Sequence, residues 1–389
     1  MPQDTDRKLS VVNHYLLSLL MSKKIEVGVV FGGRSAEHEV SLMSAKSIVA
    51  AMDKDKYNIH LIGITHQGHW LYADSDQSAL NYKTVDEQSL IPTSIDFSKA
   101  SPALINNTLG HQGETIATLD VIFPVLHGPF GEDGTIQGLF ELCNVAYVGC
   151  NVAASAIAMD KGLAKSAFKA AGLQQMDYQV YKYSQFFSNA QQVFNSIEQN
   201  FVYPVFIKPA NMGSSIGITK AHNSRELKHG VECAFNFDNK IIIEAFAENC
   251  AEVECAILGL DLPTASVVGE IFAGKEFYDY ETKYFDDKST TTIPANLPAQ
   301  VLANIQEAAL LAFKAIDGAG LSRIDFFVNR VSHNIYINEV NTMPGFTPIS
   351  MYSKLWHASG VNYAHLIDQL IEFAIEKHQQ KQRLTSHSN

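Results

Sequence analysis

Hydrophobic and polar positions change period several times along this chain, and the cleanest pattern lies near its C-terminal end. Residues 323–329 and 335–341 alternate with period two, with polar turn residues between them. That alternation predicts a β-hairpin. A turn centred on Ser332 sets Asp325 opposite Glu339 and Arg323 opposite Asn341, with Arg323, Asp325 and Phe327 on one face. Carboxylates directly across a ladder repel. A hard divalent cation such as Mg2+ removes the penalty, since it binds oxygen and is often held by one or two carboxylates plus substrate phosphates. The bland alternative is a solvated strand face that happens to be acidic. Arg323 adds a fixed cation beside the pair, and Met343-Pro344-Gly345 turns the chain just beyond Asn341.

Elsewhere strand and helix patterns alternate. Residues 25–31 are an apolar run ending in Gly32-Gly33, and a helical pattern runs from Ser35 to about Met52 with Val40, Met43, Ser47 and Ala51 on one stripe and Ile48 beside it. Strand, two glycines and helix start suit an α/β unit whose ligand side is the strand's C-terminal end. Glu37 falls in the helix's first turn, where the macrodipole favours an anion. Residues 57–64 predict a strand, followed by a polar, poorly patterned stretch to about Thr118. A strand over 120–126 runs into His127-Gly-Pro-Phe-Gly-Glu-Asp-Gly134, a shaped loop in which His127 is either a core-edge residue or part of a site. A helix to Cys143, a strand over 146–149 and a helix into Met159-Asp160-Lys161 complete a first α/β domain.

A second region opens with a strand near 178–183 and a helix near 190–200. Its centre, residues 203–218, predicts a strand, a small-residue loop and a strand. Gly213 and Gly217 permit close backbone approach, and Ser214 and Ser215 offer hydroxyl and amide donors. With Lys208 just ahead, the loop can grip phosphate, although it is not a Walker A loop. A tight hairpin with a surface lysine is the alternative. A strand over 240–246 ends in Glu244-Ala-Phe-Ala247, able to present backbone groups and an acid to an adenine. Strands over 252–259 and 266–271 follow, then residues 277–285, whose aromatic, charged composition between Gly274 and Pro294 suits a lid. A helix over 298–316 precedes the hairpin, and an amphipathic helix over 363–378 leaves a frayed tail from Gln379.

The length of 389 residues suits two or three domains. Forty-one acidic against 29 basic residues argue against a nucleic-acid or anionic-membrane surface. Five cysteines without a C-x-x-C pair predict small buried hydrophobes in a reducing compartment, and no run suits a bilayer span, so a cytoplasmic protein is expected. Residues 1–20 stand apart, as an extension or a short amphipathic helix.

The motifs G-G-R-S-A-E-H-E-V-S, H-G-P-F-G-E-D-G, M-D-K, K-P-A-N-M-G-S-S-I-G, Y-D-Y-E-T-K-Y, R-I-D-F and N-E-V-N-T-M-P-G-F-T occur in that order. Together they resemble the ATP-grasp ligases, and within them the D-alanine–D-alanine ligases, from Lys24 to about Lys377. The resemblance implies an α/β fold, α+β in its ATP-grasp part. Its divisions are an N-terminal extension (1–23), a Rossmann-like domain (24–150), a central ATP-grasp domain (151–247), a C-terminal ATP-grasp domain with hairpin and lid (248–378), and a tail (379–389). ATP would lie between the second and third domains. Lys161 and Lys208 would meet its phosphates, with Ser214, Ser215 and Lys283 in the same site. Glu244, Ala245, Phe246 and Ala247 would meet the adenine, and Glu252 the ribose. Asp325, Glu339 and Asn341 would hold two Mg2+ ions, or Mn2+ in their place. Glu37 would meet the ammonium of the first D-alanine, with Ser214 and Tyr284 linking it to the lid. Ser350 and Met351 would hold the second carboxylate, with His127 also at the substrates. A homodimer is implied, with ATP and D-alanine as its small-molecule partners.

The chemistry fits the residue types. A carboxylate is a poor electrophile, so ATP converts it to an acyl phosphate before an amine attacks. Phosphoryl transfer needs positioning and charge neutralisation, which two lysines, an arginine and metals supply. Arg323 and the amide of Gly345 would stabilise the tetrahedral oxyanion, and the lid would keep water from the acyl phosphate. The implied activity is joining two D-alanines for peptidoglycan precursor synthesis. The alternatives are an ATP-grasp ligase for D-lactate or D-serine, a nucleotide-binding module without turnover, and a structural α/β protein. Filled catalytic positions weigh against the module.

Overall fold

Three sheets organise the computed structural model, which describes residues 23–73, 77–81, 83–86, 90–96, 98, 102–272 and 290–385. The first sheet begins with β1 (Ile25–Gly32), which α1 (His38–Ala51) connects to β2 (Tyr57–Ile64). It continues with β3 (Trp70–Ala73), β4 (Ile91–Asp96), β5 (Ala103–Asn106), β6 (Glu114–Thr118) and β7 (Val121–Val125), then α2 (Thr135–Leu142) and β8 (Ala146–Tyr147). The order is β6-β5-β4-β3-β2-β1-β7-β8. Strand β1 runs parallel to β2 and β7, as helical crossovers require, and the strands from β3 outward are antiparallel. Strands β3 to β6 occupy the stretch whose polarity predicted no element. Several are short, and β6 is largely exposed, so little apolar periodicity marks them.

Helix α1 corrects another expectation. Val40 and Ile48 are buried as expected, but Met43, on the predicted stripe, is 41% exposed, while Leu42, Ala45 and Val49 are packed. The buried side also carries Ser41, whose Oγ accepts the Gly32 N–H at 2.7 Å and donates to the Val125 carbonyl. Buried serines with backbone partners hide the true face from a hydropathy pattern.

Helices α3 (Val152–Met159) and α4 (Lys161–Ala170) lead to the second sheet. There β9 (Tyr178–Lys182) is followed by α5 (Tyr183–Ser188), α6 (Ala190–Asn200), β10 (Val205–Pro209), β11 (Thr219–Ala221), α7 (Ser224–Ala234) and β12 (Lys240–Ala245). The order β11-β10-β12-β9 is antiparallel throughout. Val205, Ile207, Ile241 and Ile243 pack against Phe194, Ile197, Leu227 and Val231 of the helices. Alternation therefore turns Phe206, Lys208 and Glu244 to the other face.

The third sheet contains β13 (Cys250–Gly259), β14 (Thr264–Phe272), β15 (Thr290–Thr292) and, after α8 (Ala299–Ala315), β16 (Gly320–Asn329) and β17 (Ile335–Asn341). Its order is β15-β14-β13-β16-β17, and α8 covers one face through Ile305, Ala309 and Phe313. The hairpin pairs Arg323 with Asn341 and Asp325 with Glu339, as the alternation predicts. Nearer the turn, however, Phe326 pairs with Ile337, so Asn338 is an extra residue. A bulge thus shifts the register between the turn and the acidic pair, a device common beside active sites.

The chain closes with α9 (Met351–Ala358) and α10 (Tyr363–Thr385). Helix α10 outruns the predicted end at His378 because its last turns are docked: Lys381 pairs with Glu141, and Gln382 with Asn144. Leu366, Ile367, Leu370 and Ile371 share a core with Val27, Val29 and Phe31 of β1 and with Leu258 and Leu321 of the third sheet. Asp368 accepts from Lys56 Nζ at 2.7 Å and from the Tyr57 hydroxyl at 2.8 Å. Lys377 Nζ donates to the Gly149 carbonyl at 2.7 Å, and burial pulls its pKa down to about 8.

Cys143, Cys150 and Cys255 are buried as expected, but Cys233 and Cys250 are only half-buried. Among the described residues, no helix is long and apolar enough to cross a membrane.

Asp368→Ala tests how firmly α10 is tied to β2. Removing an acceptor from the buried Tyr57 hydroxyl and a charge from Lys56 should cost about 1–3 kcal/mol, read from urea unfolding. An unchanged midpoint would show that this clasp contributes nothing.

Candidate active site

Three loops converge on Glu37. This residue sits at the N-cap position of α1, not within its first turn, and is 4% exposed. The hydroxyl of Ser214, 177 residues away, donates to Glu37 Oε1. Ser35 Oγ accepts the Glu37 N–H at 3.2 Å and donates to the His127 carbonyl at 2.6 Å, joining the loops after β1 and β7. Gly128 has φ +73°, and a Cβ there would stand 2.4 Å from Glu37 Oε2, so a side chain and this carboxylate exclude each other. Ser214 and Ser215 have φ of 49° and 60°, a left-handed backbone that costs non-glycine residues energy and clusters at functional sites.

The lysines stand on the second sheet and beside it. Lys161 begins α4 and donates to the Met212 carbonyl at 2.6 Å, just before Gly213. Lys208, 9% exposed, lies 2.5 Å from Glu244 Oε2, and Lys165 lies 3.1 Å from Glu244 Oε1. Burial alone would raise the Glu244 pKa, but Lys165 and Lys208 hold it down to about 2. Burial would discharge Lys208, yet Glu244, then Glu339 and Glu252, keep it charged. Those last two acids belong to the third sheet, so the second and third sheets share one electrostatic cleft. Sequence reasoning did not single out Lys165. Its signal was its place four residues after Lys161 on one short helix.

At the end of β12 the expected adenine segment has local order of its own. The Ala245 N–H donates to the Asp177 carbonyl at 2.9 Å, and the Glu248 N–H to the Phe246 carbonyl at 3.0 Å, across Ala247. The Phe246 ring lies 6.1 Å from that of Phe206, with Lys220 Nζ 4.2 Å above it. Phe206 was not anticipated.

The third sheet supplies the acidic face. Pairing sets Glu254 opposite Asp325 and Asp325 opposite Glu339, with Arg323 opposite Asn341 and Glu252 opposite Phe327. Arg323 donates Nε and Nη2 to the two Asp325 oxygens, each at 2.7 Å, a bidentate fork. Glu254, another residue not anticipated, brings Oε2 to 2.9 Å from Arg323 Nε.

Beyond the hairpin the loop around Gly345 is tied on both sides. The Met343 N–H donates to Asn341 Oδ1 at 3.0 Å, and His127 Nδ1 donates to the Met343 carbonyl at 3.0 Å. The Phe346 N–H reaches Ser44 Oγ at 3.4 Å, and the Tyr363 hydroxyl donates to the Phe346 carbonyl at 2.6 Å. His127 is buried, and its ring holds the loop. Burial lowers its pKa, but Glu132 and then Glu37 outweigh that and raise it. Ser350 stands at the N-cap position of α9, where its hydroxyl bonds the Thr347 hydroxyl at 2.8 Å instead of the helix, while Met351 packs on β14 at Gly269. Lys283 and Tyr284 lie outside the described residues, as do the lid and residues 1–22.

Glu244→Gln leaves two buried lysines without their counter-ion, which should destabilise the fold by about 3–5 kcal/mol at pH 7. The folded-state pKa of about 2 lies below the ordinary 4.5, so this contribution is fully present above pH 4.5 and fades as pH falls toward 2. The gap between variant and wild type in urea unfolding should therefore narrow across that window. A gap independent of pH would refute the assignment.

Comparison with known proteins covers nearly the whole chain. A family model described as "D-ala D-ala ligase N-terminus" matches residues 26–150, and "D-ala D-ala ligase C-terminus" matches residues 167–372. The D-alanine–D-alanine ligase of Acetivibrio thermocellus is 46% identical over 368 residues, covering 92% of this chain and 98% of its own. That of Bacillus cytotoxicus is 46% identical over 363 residues, covering 93% and 98%. Among solved structures, the D-alanine–D-alanine ligase of Coxiella burnetii superposes with TM-score 0.82 at 36% identity, covering 93% of this chain and 97% of that one. The VanG D-Ala:D-Ser ligase of Enterococcus faecalis superposes with TM-score 0.80, also at 36% identity, covering 90% and 100%. Three sheets, a carboxylate bridged to a strained serine loop and an acidic hairpin thus come with likeness over nearly the whole length, and the chain belongs to the D-alanine–D-alanine ligase family.

Proposed function

We propose that this chain joins two D-alanine molecules to D-alanyl-D-alanine with ATP, releasing ADP and phosphate through a D-alanyl phosphate. The observation that carries the reading is the Glu37–Ser214 contact. It sets a buried carboxylate, the group that would hold an ammonium, beside the loop that follows Lys208. In this reading the first D-alanine sits with its ammonium on Glu37 and its carboxylate toward the γ-phosphate. Lys161 and Lys208 neutralise the phosphates there, with Ser214 and Ser215 lending loop donors. Phe246 and the backbone of Glu244 to Ala247 hold the adenine, and Glu252 the ribose. The amine of the second D-alanine then attacks the acyl carbon. Arg323 and the Gly345 amide stabilise the oxyanion, while Ser350 and Met351, at the start of α9, receive the second carboxylate where the helix dipole favours it. Lys283 and Tyr284 close the site as lid residues.

Asp325, Glu339 and Asn341 offer hard oxygen donors, and the direct pairing of two carboxylates fits Mg2+. Among the described residues, no three or more acidic, histidine or cysteine side chains stand grouped to hold a metal by themselves, so ATP phosphates would complete the set. When bound, the ion would neutralise phosphate charge. Cytoplasmic location and a homodimer belong to the same proposal.

A second reading concerns the acceptor alone. The D-Ala:D-Ser ligase is as close in identity as the Coxiella enzyme, so D-serine is a real competitor. Product analysis with ATP, D-alanine, D-serine and D-lactate should find D-alanyl-D-alanine as the main product. A mixed product in excess would change the acceptor, and no ADP release with D-alanine would end the reading altogether.

Glu339→Gln keeps size and strand fit while removing a charge. Turnover should fall by about 100-fold or more, the scale of losing one electrostatic stabiliser. Melting in EDTA should change little, because relief of the repulsion with Asp325 is offset by attraction lost to Lys208 and Arg323. Wild-type turnover with Mg2+ would refute this assignment.

A further inference from the structure

We propose that Glu254 is a positioning residue for Arg323. It accepts the guanidinium Nε–H hydrogen bond when Asp325 turns to the metal-bound nucleotide, keeping Arg323 aimed at the acyl centre. The inference rests on the reaction proposed above.

The argument begins with proton count. Arginine Nε carries a single proton. Two carboxylate oxygens stand within hydrogen-bond distance of Arg323 Nε, Asp325 Oδ1 at 2.7 Å and Glu254 Oε2 at 2.9 Å. The Asp325 fork holds that proton here, and Asp325 Oδ2 also holds Nη2. Asp325 therefore answers two demands. The oxygens that fork Arg323 are those that would face the cation on the nucleotide, and lone pairs drawn toward a cation hold a guanidinium less firmly. Anchored by Asp325 alone, Arg323 would be held more weakly just when its charge is needed.

Glu254 stands where a second anchor must be. It lies directly opposite Asp325 on the neighbouring strand and on the same face as Arg323. Strands β13 and β16 pair in unbroken register from Cys250 with Asn329 to Gly259 with Gly320. On the other side, β16 and β17 shift register beside Asp325. The firm ladder thus carries the arginine's second anchor, and the bulged ladder carries the proposed metal pair. Glu254 is 5% exposed, and its charge is tolerable there because it faces a cation. The metal and ribose assignments do not use it.

The test follows the Arg323 Nε–H signal in proton–nitrogen spectra of 15N-arginine protein, identified by its loss in Arg323→Lys. Spectra are taken before and after adding Mg2+ with a non-hydrolysable ATP analogue. In wild type the signal should move yet stay protected from exchange. In Glu254→Ala it should be seen before addition and be lost to exchange afterwards. Dipeptide kcat should fall about 10–100-fold, with KM for ATP within about twofold, and Glu254→Gln should recover part of that loss. A Glu254→Ala protein that keeps both signal and kcat overturns the proposal. So does a wild-type signal that vanishes on adding the nucleotide, a result that stands even if the variant does not fold. If wild type releases no ADP with D-alanine, the reaction itself falls, while the spectra still decide whether Glu254 holds Arg323.

Discussion

A buried charge is tolerated only beside its opposite, and that constraint arranges the cleft between the second and third sheets. Glu244 stands between Lys165 and Lys208, and Arg323 stands between Asp325 and Glu254. Each group alone would discharge or draw in water. Paired, they form a dry, strongly charged lining suited to a phosphate-bearing ligand. Lys208 connects the two sets because it also feels Glu339 and Glu252 across the cleft. On the third sheet Glu252 and Glu339 add acidic charge to the same cleft.

Packing then brings the carriers of these charges together. The β1, β7 and β10 loops meet at Glu37, while His127 ties the β7 loop to the Met343–Phe346 turn. Helix α10 shares one core with β1 and with strands of the third sheet, so the last element of the chain braces the first. Separating the first sheet from the third would strip that core.

The same scaffold accommodates different acceptors. Enzymes titled for D-alanine and for D-serine superpose on this chain almost equally well. Fold therefore leaves acceptor choice open. Under the proposed function that choice would fall to side chains near Ser350 and Met351, while Glu37, Arg323 and the lysines would serve both kinds of ligase.

Much of this was legible in the chain itself. Period-two alternation determined the hairpin and the pairing of Asp325 with Glu339, because strand faces follow directly from residue order. Ordered motifs determined the family and most of the residues proposed for catalysis. Tertiary structure decided most of the partners those residues meet. Residue pattern alone made Glu37 a helix-dipole acid; only the family resemblance set it with Ser214, and the fold brings that hydroxyl, 177 residues distant, onto its carboxylate. Packing makes Glu244 the counter-ion of two lysines, a pairing no local pattern announced. Strands β3 to β6 and the true buried face of α1 were hidden because short strands and hydrogen-bonded serines carry little hydrophobic period. The end of α10 was set by Glu141 and Asn144 on another helix and its exit. Local pattern determines faces, since geometry repeats along one strand or helix; partners across the cleft depend on how separate elements pack, which no local period encodes.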